Sequence, residues 1–404
     1  MPNPAPQSSV ASGSTGAIVV TRELARRHLL NKTKPPGSLG ALEHWAEKLM
    51  LVQQTLRPTV SRTLVILFAA DNGLASVSAY PRSVTREMLR NVAEGGAAIN
   101  CLCRAHGIDL RVMDLGVDLP SASTRYEAVD HFRLTNAGTA DPRLGEPAMD
   151  ETVFSFVMGH GRKALQAAAG EGVQVVGVGE LGIGNTAVAS VLLAAATGEP
   201  ADRTTGAGTG VVGQRFVEKC QAVQAAVDLW KARGVVPPNG YYHHSDSDSD
   251  SKSTSSSEAA NWSQVLRALG DLEITAMSTL IHEAATTSSR TLVVVDGFIT
   301  QVALLYAMLM YPDVIPAIVQ HTLLAHVSAE KPQMLLLETL RNVALRHLPE
   351  DQVKEWTTPV GNWGMRLGEG SGAALVIPML KSAAAIATEM ATFEAAGVST
   401  EKQD

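Results

Sequence analysis

Four short apolar runs, each closing on a glycine with an acid beside it, constrain this chain more than any other feature. They are TLVILFAADNG (Thr63–Gly73), LRVMDLG (Leu110–Gly116), VQVVGVGE (Val173–Glu180) and TLVVVDGF (Thr291–Phe298). Most lack the apolar–polar alternation of a half-exposed strand, so they read as strands covered on both faces. Helical patterns fill the intervals: Thr85–Arg104, interrupted by Gly95–Gly96, then Thr186–Thr197 and Ile299–Tyr311. Strand, acidic glycine turn and helix, repeated, predict an α/β fold with a mostly parallel sheet flanked by helices. Ligands of such sheets bind outside the carboxyl ends of the strands, marked here by Asp71, Asp114, Glu180 and Asp296. Capping the next helix is the plainer role for any one of them; four together suggest a polar rim. Upstream, Pro35–Pro36, Gly37 and Ser38 read as a helix start with Ser38 as N-cap, the helix carrying Leu39, Leu42, Ala46, Leu49 and Leu56 on one face.

Composition narrows the partners. At 404 residues, 45% hydrophobic with 34 glycines, the chain is long enough for a large α/β domain and a small one. A net charge of −7 leaves no basic footprint for nucleic acid or an anionic membrane. Three cysteines, Cys101, Cys103 and Cys220, form no disulfide framework and no C-x-x-C, so no metal site is expected and a reduced, cytoplasmic setting is. The apolar stretch Phe298–Tyr311 is broken by Thr300 and Gln301 and is too short to span a bilayer. The start, MPNPAPQSSVASGSTG, has neither a signal core nor transit-peptide arginines. Residues 1–17 read as a disordered tail. HHSDSDSDSKSTSSSE, residues 243–258, has no apolar residue to offset its ordering entropy and reads as a disordered insertion.

Chemistry concentrates in three glycine loops. In VGVGELGIGNT (Val176–Thr186), Gly177, Gly179 and Gly182 spell the G-x-G-x-x-G of a dinucleotide turn. The others are TTGAGTGV (Thr204–Val211) and GMRLGEGSGAA (Gly364–Ala374). Glycines let backbone amides approach a phosphate, and a following helix N-terminus favours the anion. Yet Glu180 would face a pyrophosphate in the first loop, and Glu369 is set the same way in the third; like charges so close are destabilising. A mononucleotide with one phosphate leaves room for carboxylates beside sugar and base. Positive charge developing at an anomeric carbon is what such carboxylates stabilise. The residues therefore point to nucleotide glycosyl transfer rather than to an NAD-dependent oxidoreductase.

Taken together, the loops resemble those of the nicotinate-nucleotide–dimethylbenzimidazole phosphoribosyltransferase family, which makes the lower-ligand nucleotide of cobalamin. The resemblance is carried by TKPPGSLGALE (Thr33–Glu43), SAYPRSVT (Ser78–Thr85), GGAAINCLCRAHGIDLRVMDLGV (Gly95–Val117), GELGIGNT (Gly179–Thr186) and GAGTG (Gly206–Gly210). It continues through VDGFIT (Val295–Thr300), AHVSAE (Ala325–Glu330), GMRLGEGSGAAL (Gly364–Leu375) and EMATFEAAGVS (Glu389–Ser399). It implies transfer of phosphoribosyl from nicotinate mononucleotide to dimethylbenzimidazole, giving α-ribazole phosphate and nicotinate without a cofactor. It implies Glu369 as the base, with Glu180 and Lys219 also functional; a lone helix lysine would ordinarily be a solvated charge. Phosphate and ribose are expected at Gly182, Gly184, Asn185, Gly208, Gly210, Asp296 and Ser328. The benzimidazole is expected near Ser78, Tyr80, Glu87, Met365 and Leu367, although Tyr80 also reads as an ordinary half-buried aromatic. The resemblance implies a homodimer of a Rossmann-like large domain, residues 61–375, and a small helical domain from residues 18–60 and 376–404.

The chain departs from the family pattern in three places. Asp71–Asn72–Gly73 stands where the family usually has Asp-His-Gly, Glu87 stands where it commonly has Gln, and the insertion has no counterpart. The first two are expected to bear on which base is accepted. A nucleotide-binding homologue without turnover, or a transferase for another base, stays open on sequence alone.

Overall fold

The four apolar runs form the centre of a six-stranded sheet in which every neighbouring pair is parallel. The computed structural model describes residues 19–121, 123–134, 138–241 and 261–399; the expected tail and the 243–258 insertion lie outside them. The strands are β1 (Thr63–Ala70), β2 (Asp109–Gly116), β3 (Val129–His131), β4 (Val175–Leu181), β5 (Leu292–Val295) and β6 (Thr322–Leu324). Their order is β3-β2-β1-β4-β5-β6. The chain winds outward one way from β1 and then the other way from β4, so the topological switch point lies between these two strands.

Alternate residues of β1 enter two separate cores. Leu64, Ile66 and Phe68 pack with helices Glu151–Gly170, Asn185–Thr197, Leu272–Thr286 and Phe298–Met310. Val65, Leu67 and Ala69 pack with helices Arg22–Leu30, Ala41–Gln53, Ala98–His106 and Ser371–Glu389. Both faces are covered, which is why the strands show no alternation. Helix Ser371–Glu389 is long and apolar enough to cross a membrane by length and composition, but it packs against β1, β4 and β5. It is one continuous helix across the expected boundary at 375–376. The first and last described segments meet where Lys32 bridges Thr392 and its Nζ donates to the Met390 carbonyl at 2.8 Å.

Three local expectations are corrected. The pattern Thr85–Arg104 is two helices, Val84–Ala93 and Ala98–His106, because Gly95 takes a left-handed φ of 82° that ends the first. Ser38 is not an N-cap: the helix starts at Ala41 behind Gly40, with no side-chain cap, and the Leu39 amide donates to Glu43 instead. Leu56 lies beyond its end at Gln53, where Gln54 turns left-handed.

Candidate active site

Two of the glycine loops are locked together at the switch point. Glu180 is the penultimate residue of β4, and Asn185, first residue of the following helix, donates its side-chain amide to Glu180 Oε2. The loop before helix Ser371–Glu389 crosses directly above, and the Glu369 amide donates to the Glu180 carbonyl at 3.2 Å. The contact is backbone on backbone. A Cβ on Gly179 would lie 2.4 Å from the Glu369 carbonyl carbon, and one on Gly368 would lie 1.9 Å from Glu180 Oε1. Gly177 lies against Val65 and Ala373 of the incoming helix, and Gly182 against Glu273 and the Ala70 carbonyl. Close packing of the second loop and its helix on β4 thus accounts for Gly177 and Gly179, and the approach of Glu273 and the end of β1 accounts for Gly182. Glu369 itself adopts φ 63°, a left-handed conformation that only Gln54 shares among the described non-glycine residues. Such backbone strain is held where the surroundings over-determine it, often at functional sites.

This packing aims two buried carboxyls into one cleft of about 610 Å³, lined also by Tyr80, Val84, Met88 and Leu367. A narrow polar recess adjoins it, sharing Glu180, Thr186 and Arg366 and adding Asp296, Ser328 and Glu330. Burial pushes Glu180 well above the usual carboxylate range, and the nearby Asp296, Asp271 and Glu369 push it further. Burial also raises Glu369, opposed by the Ile99 amide at the start of helix Ala98–His106. Burial raises Asp296, against the pull of His326, whose Nε2 lies 3.5 Å from Asp296 Oδ1. Lys219 is buried, not solvated; its Nζ donates to the Gly206 carbonyl at 2.8 Å, and burial lowers it to about 8 against the opposing charge of Glu330. Among the described residues, no three or more His, Cys, Asp or Glu side chains form a group that could hold a metal ion.

The structure sorts the expected residues. Glu180, Glu369, Gly182, Asn185, Gly208, Tyr80 and Leu367 line the cleft, and Asp296 and Ser328 line the recess. Lys219 approaches from behind, its Nζ 3.1 Å from where a Gly208 Cβ would stand. Ser78 sits at the margin, with its hydroxyl 3.0 Å from that of Thr209, a cleft residue. Gly184, Gly210, Met365 and Glu87 are outside both linings. Gly184 backs onto Asn72 and Ala75, and Met365 gives its carbonyl to the Ala329 amide. Glu87 is exposed because helical spacing turns Val84, Thr85 and Met88 to the cleft instead. Asn72 is buried behind Gly184, so neither departure from the family pattern touches the cleft wall. Two rim acids tie loops to the sheet: Asp71 accepts from the Asp118 amide, and Asp114 pairs with His131 at 2.7 Å and Arg133 at 3.1 Å. Sequence reasoning missed Thr186, Arg366 and Glu330. Arg366 donates to the Gly208 carbonyl and so ties the second glycine loop to the third. A larger groove, about 940 Å³ between helices Arg22–Leu30, Ala41–Gln53 and Glu350–Trp356, contains none of the rim acids or glycine loops, so size does not make it the reacting site.

Comparisons with known proteins cover most of the chain. A family model described as phosphoribosyltransferase matches residues 19–241 and 248–398. A Cupriavidus necator protein is 36% identical over 375 residues, 92% of this chain and 93% of that protein, and is named nicotinate-nucleotide–dimethylbenzimidazole phosphoribosyltransferase. One of the same name from Pseudomonas aeruginosa is 36% identical over 369 residues, covering 91% of each chain. A crystal structure from Thermus thermophilus, titled with the same activity, superimposes with a TM-score of 0.73 at 30% identity, covering 94% of this chain and 98% of that one.

Proposed function

The chain belongs to the nicotinate-nucleotide–dimethylbenzimidazole phosphoribosyltransferase family, and from that membership we propose that its cleft transfers phosphoribose from nicotinate mononucleotide to dimethylbenzimidazole. The products are nicotinate and α-ribazole phosphate, the nucleotide of the cobalamin lower ligand. One observation carries the mechanism: interlocked glycine loops hold Glu180 and Glu369 in a single cleft.

The nicotinate ring leaves with a neutral nitrogen, so its departure needs no acid. Positive charge gathers on the anomeric carbon as the bond breaks, and carboxylates in a water-poor site stabilise it. We assign this role to Glu180: its raised pKa disfavours the ionised form, and the pyridinium charge of the bound nucleotide favours it. The incoming benzimidazole attacks through one ring nitrogen and sheds the proton of the other, which requires a base within hydrogen-bond reach. Glu369 supplies it, on the apolar side walled by Tyr80, Met88 and Leu367. Its raised pKa suits the task, since a base near the working pH accepts a proton more fully than an ordinary carboxylate. Attack opposite the leaving group inverts the anomeric centre. Arg366 and Lys219 place positive charge beside the Gly208 loop, and to that loop we assign the nucleotide phosphate. Glu369→Gln keeps the shape and removes the base; its kcat should fall about 10²–10⁴-fold with nucleotide affinity little changed. Nearly unchanged turnover would remove Glu369 from that role. The same reading carries a homodimer, and sedimentation at the mass of one chain would contradict it.

A further inference from the structure

Glu330 is the site acid that the motifs leave unassigned. It lies in the loop after β6, almost fully buried, with its amide 3.3 Å from Ser328 Oγ. Its Oε2 accepts from the Gly208 amide at 3.2 Å, and a Cβ on Gly206 would lie 2.0 Å from that same oxygen. Lys219 holds the Gly206 carbonyl from the other side. Acid and lysine therefore grip one loop, and Glu330's second oxygen, Oε1, is buried without a hydrogen-bond partner among the described residues. The side chain lines the narrow recess with Glu180, Thr186, Asp296 and Ser328.

A buried carboxylate oxygen left unpaired is costly, so the group that fills this recess should bring a donor. On the reading above, the ligand is a nucleotide. Its phosphate offers mainly acceptors and would be repelled by the acids. Its ribose hydroxyls are the donors of the sugar–phosphate part, and a carboxylate can only accept. We propose that Glu330 Oε1 accepts a hydrogen bond from a ribose hydroxyl, so that Glu330 selects ribonucleotides over deoxyribonucleotides.

Calorimetry on the full-length protein tests this with nicotinate mononucleotide and its 2′-deoxy and 3′-deoxy forms, against wild type and Glu330→Gln. Wild type should bind one deoxy form roughly ten- to hundredfold more weakly than the ribonucleotide, the range of a hydrogen bond to a charged group. Glu330→Gln should lose a similar factor on the ribonucleotide and no longer distinguish that deoxy form. Equal binding of all three nucleotides by wild type overturns the proposal, and this comparison needs no variant to fold. A variant that weakens all three alike, keeping the discrimination, overturns it too, because Glu330 would then only brace the Lys219 loop. Failure of the transferase reading shows separately, as nucleotide bound with no nicotinate released when dimethylbenzimidazole is added.

Discussion

At Glu369 and Lys219, burial shifts two ionisations towards each other. Burial raises Glu369 and lowers Lys219 to about 8. As the proposed base, Glu369 works only when deprotonated, so activity should rise with pH through a limb lying above the ordinary carboxylate range. In its proposed role Lys219 contributes only as its ammonium, so activity should fall as pH passes about 8. Lys219→Ala should lower kcat/KM roughly ten- to hundredfold, the loss of one charged contact, and abolish the alkaline limb. A pH–rate profile checks both, and an alkaline limb still near 8 in the variant would assign it to another group. Glu180 and Glu369 were legible in the sequence because a carboxylate inside a glycine loop conflicts with a pyrophosphate ligand. Glu330 and Arg366 were not legible. The acid of AHVSAE has no glycine loop around it in the sequence, and only the crossing of separate loops puts it beside Gly206 and Lys219.

Among the elements, β4 and the loop before helix Ser371–Glu389 behave as one unit, because glycines let their backbones touch. Gly179→Ala would force a methyl to within 2.4 Å of the Glu369 carbonyl carbon. Such overpacking costs about 1–3 kcal/mol, and the displaced loop carries Glu369, the proposed base, so activity should fall further than stability does. Gly159→Ala provides the contrast: its Cβ would meet nothing within 4 Å inside helix Glu151–Gly170. That change should stabilise by about 0.5–1 kcal/mol and leave activity intact. Thermal melts and initial rates on both variants test the pair; equal effects would mean that the loops are not interlocked. The long strands were readable from their apolar runs, whereas β3 and β6 were not. Three residues each is too short for a periodic pattern to register.

Over the whole molecule, the sheet does one thing for the chemistry. Reversal of winding between β1 and β4 opens a crevice at their carboxyl ends, and helices on both faces bury the acids that line it. The doubly covered sheet was legible from strands without alternation, and the switch point was not, because strand order depends on which runs pair. The central claim is that this crevice exchanges nicotinate for dimethylbenzimidazole on one phosphoribose. The most direct measurement incubates the purified protein with nicotinate mononucleotide and dimethylbenzimidazole and separates the products by chromatography. Nicotinate and α-ribazole phosphate appearing in equal amounts is the predicted result. Nucleotide recovered unchanged, or nicotinate released with no ribazole phosphate formed, would contradict it.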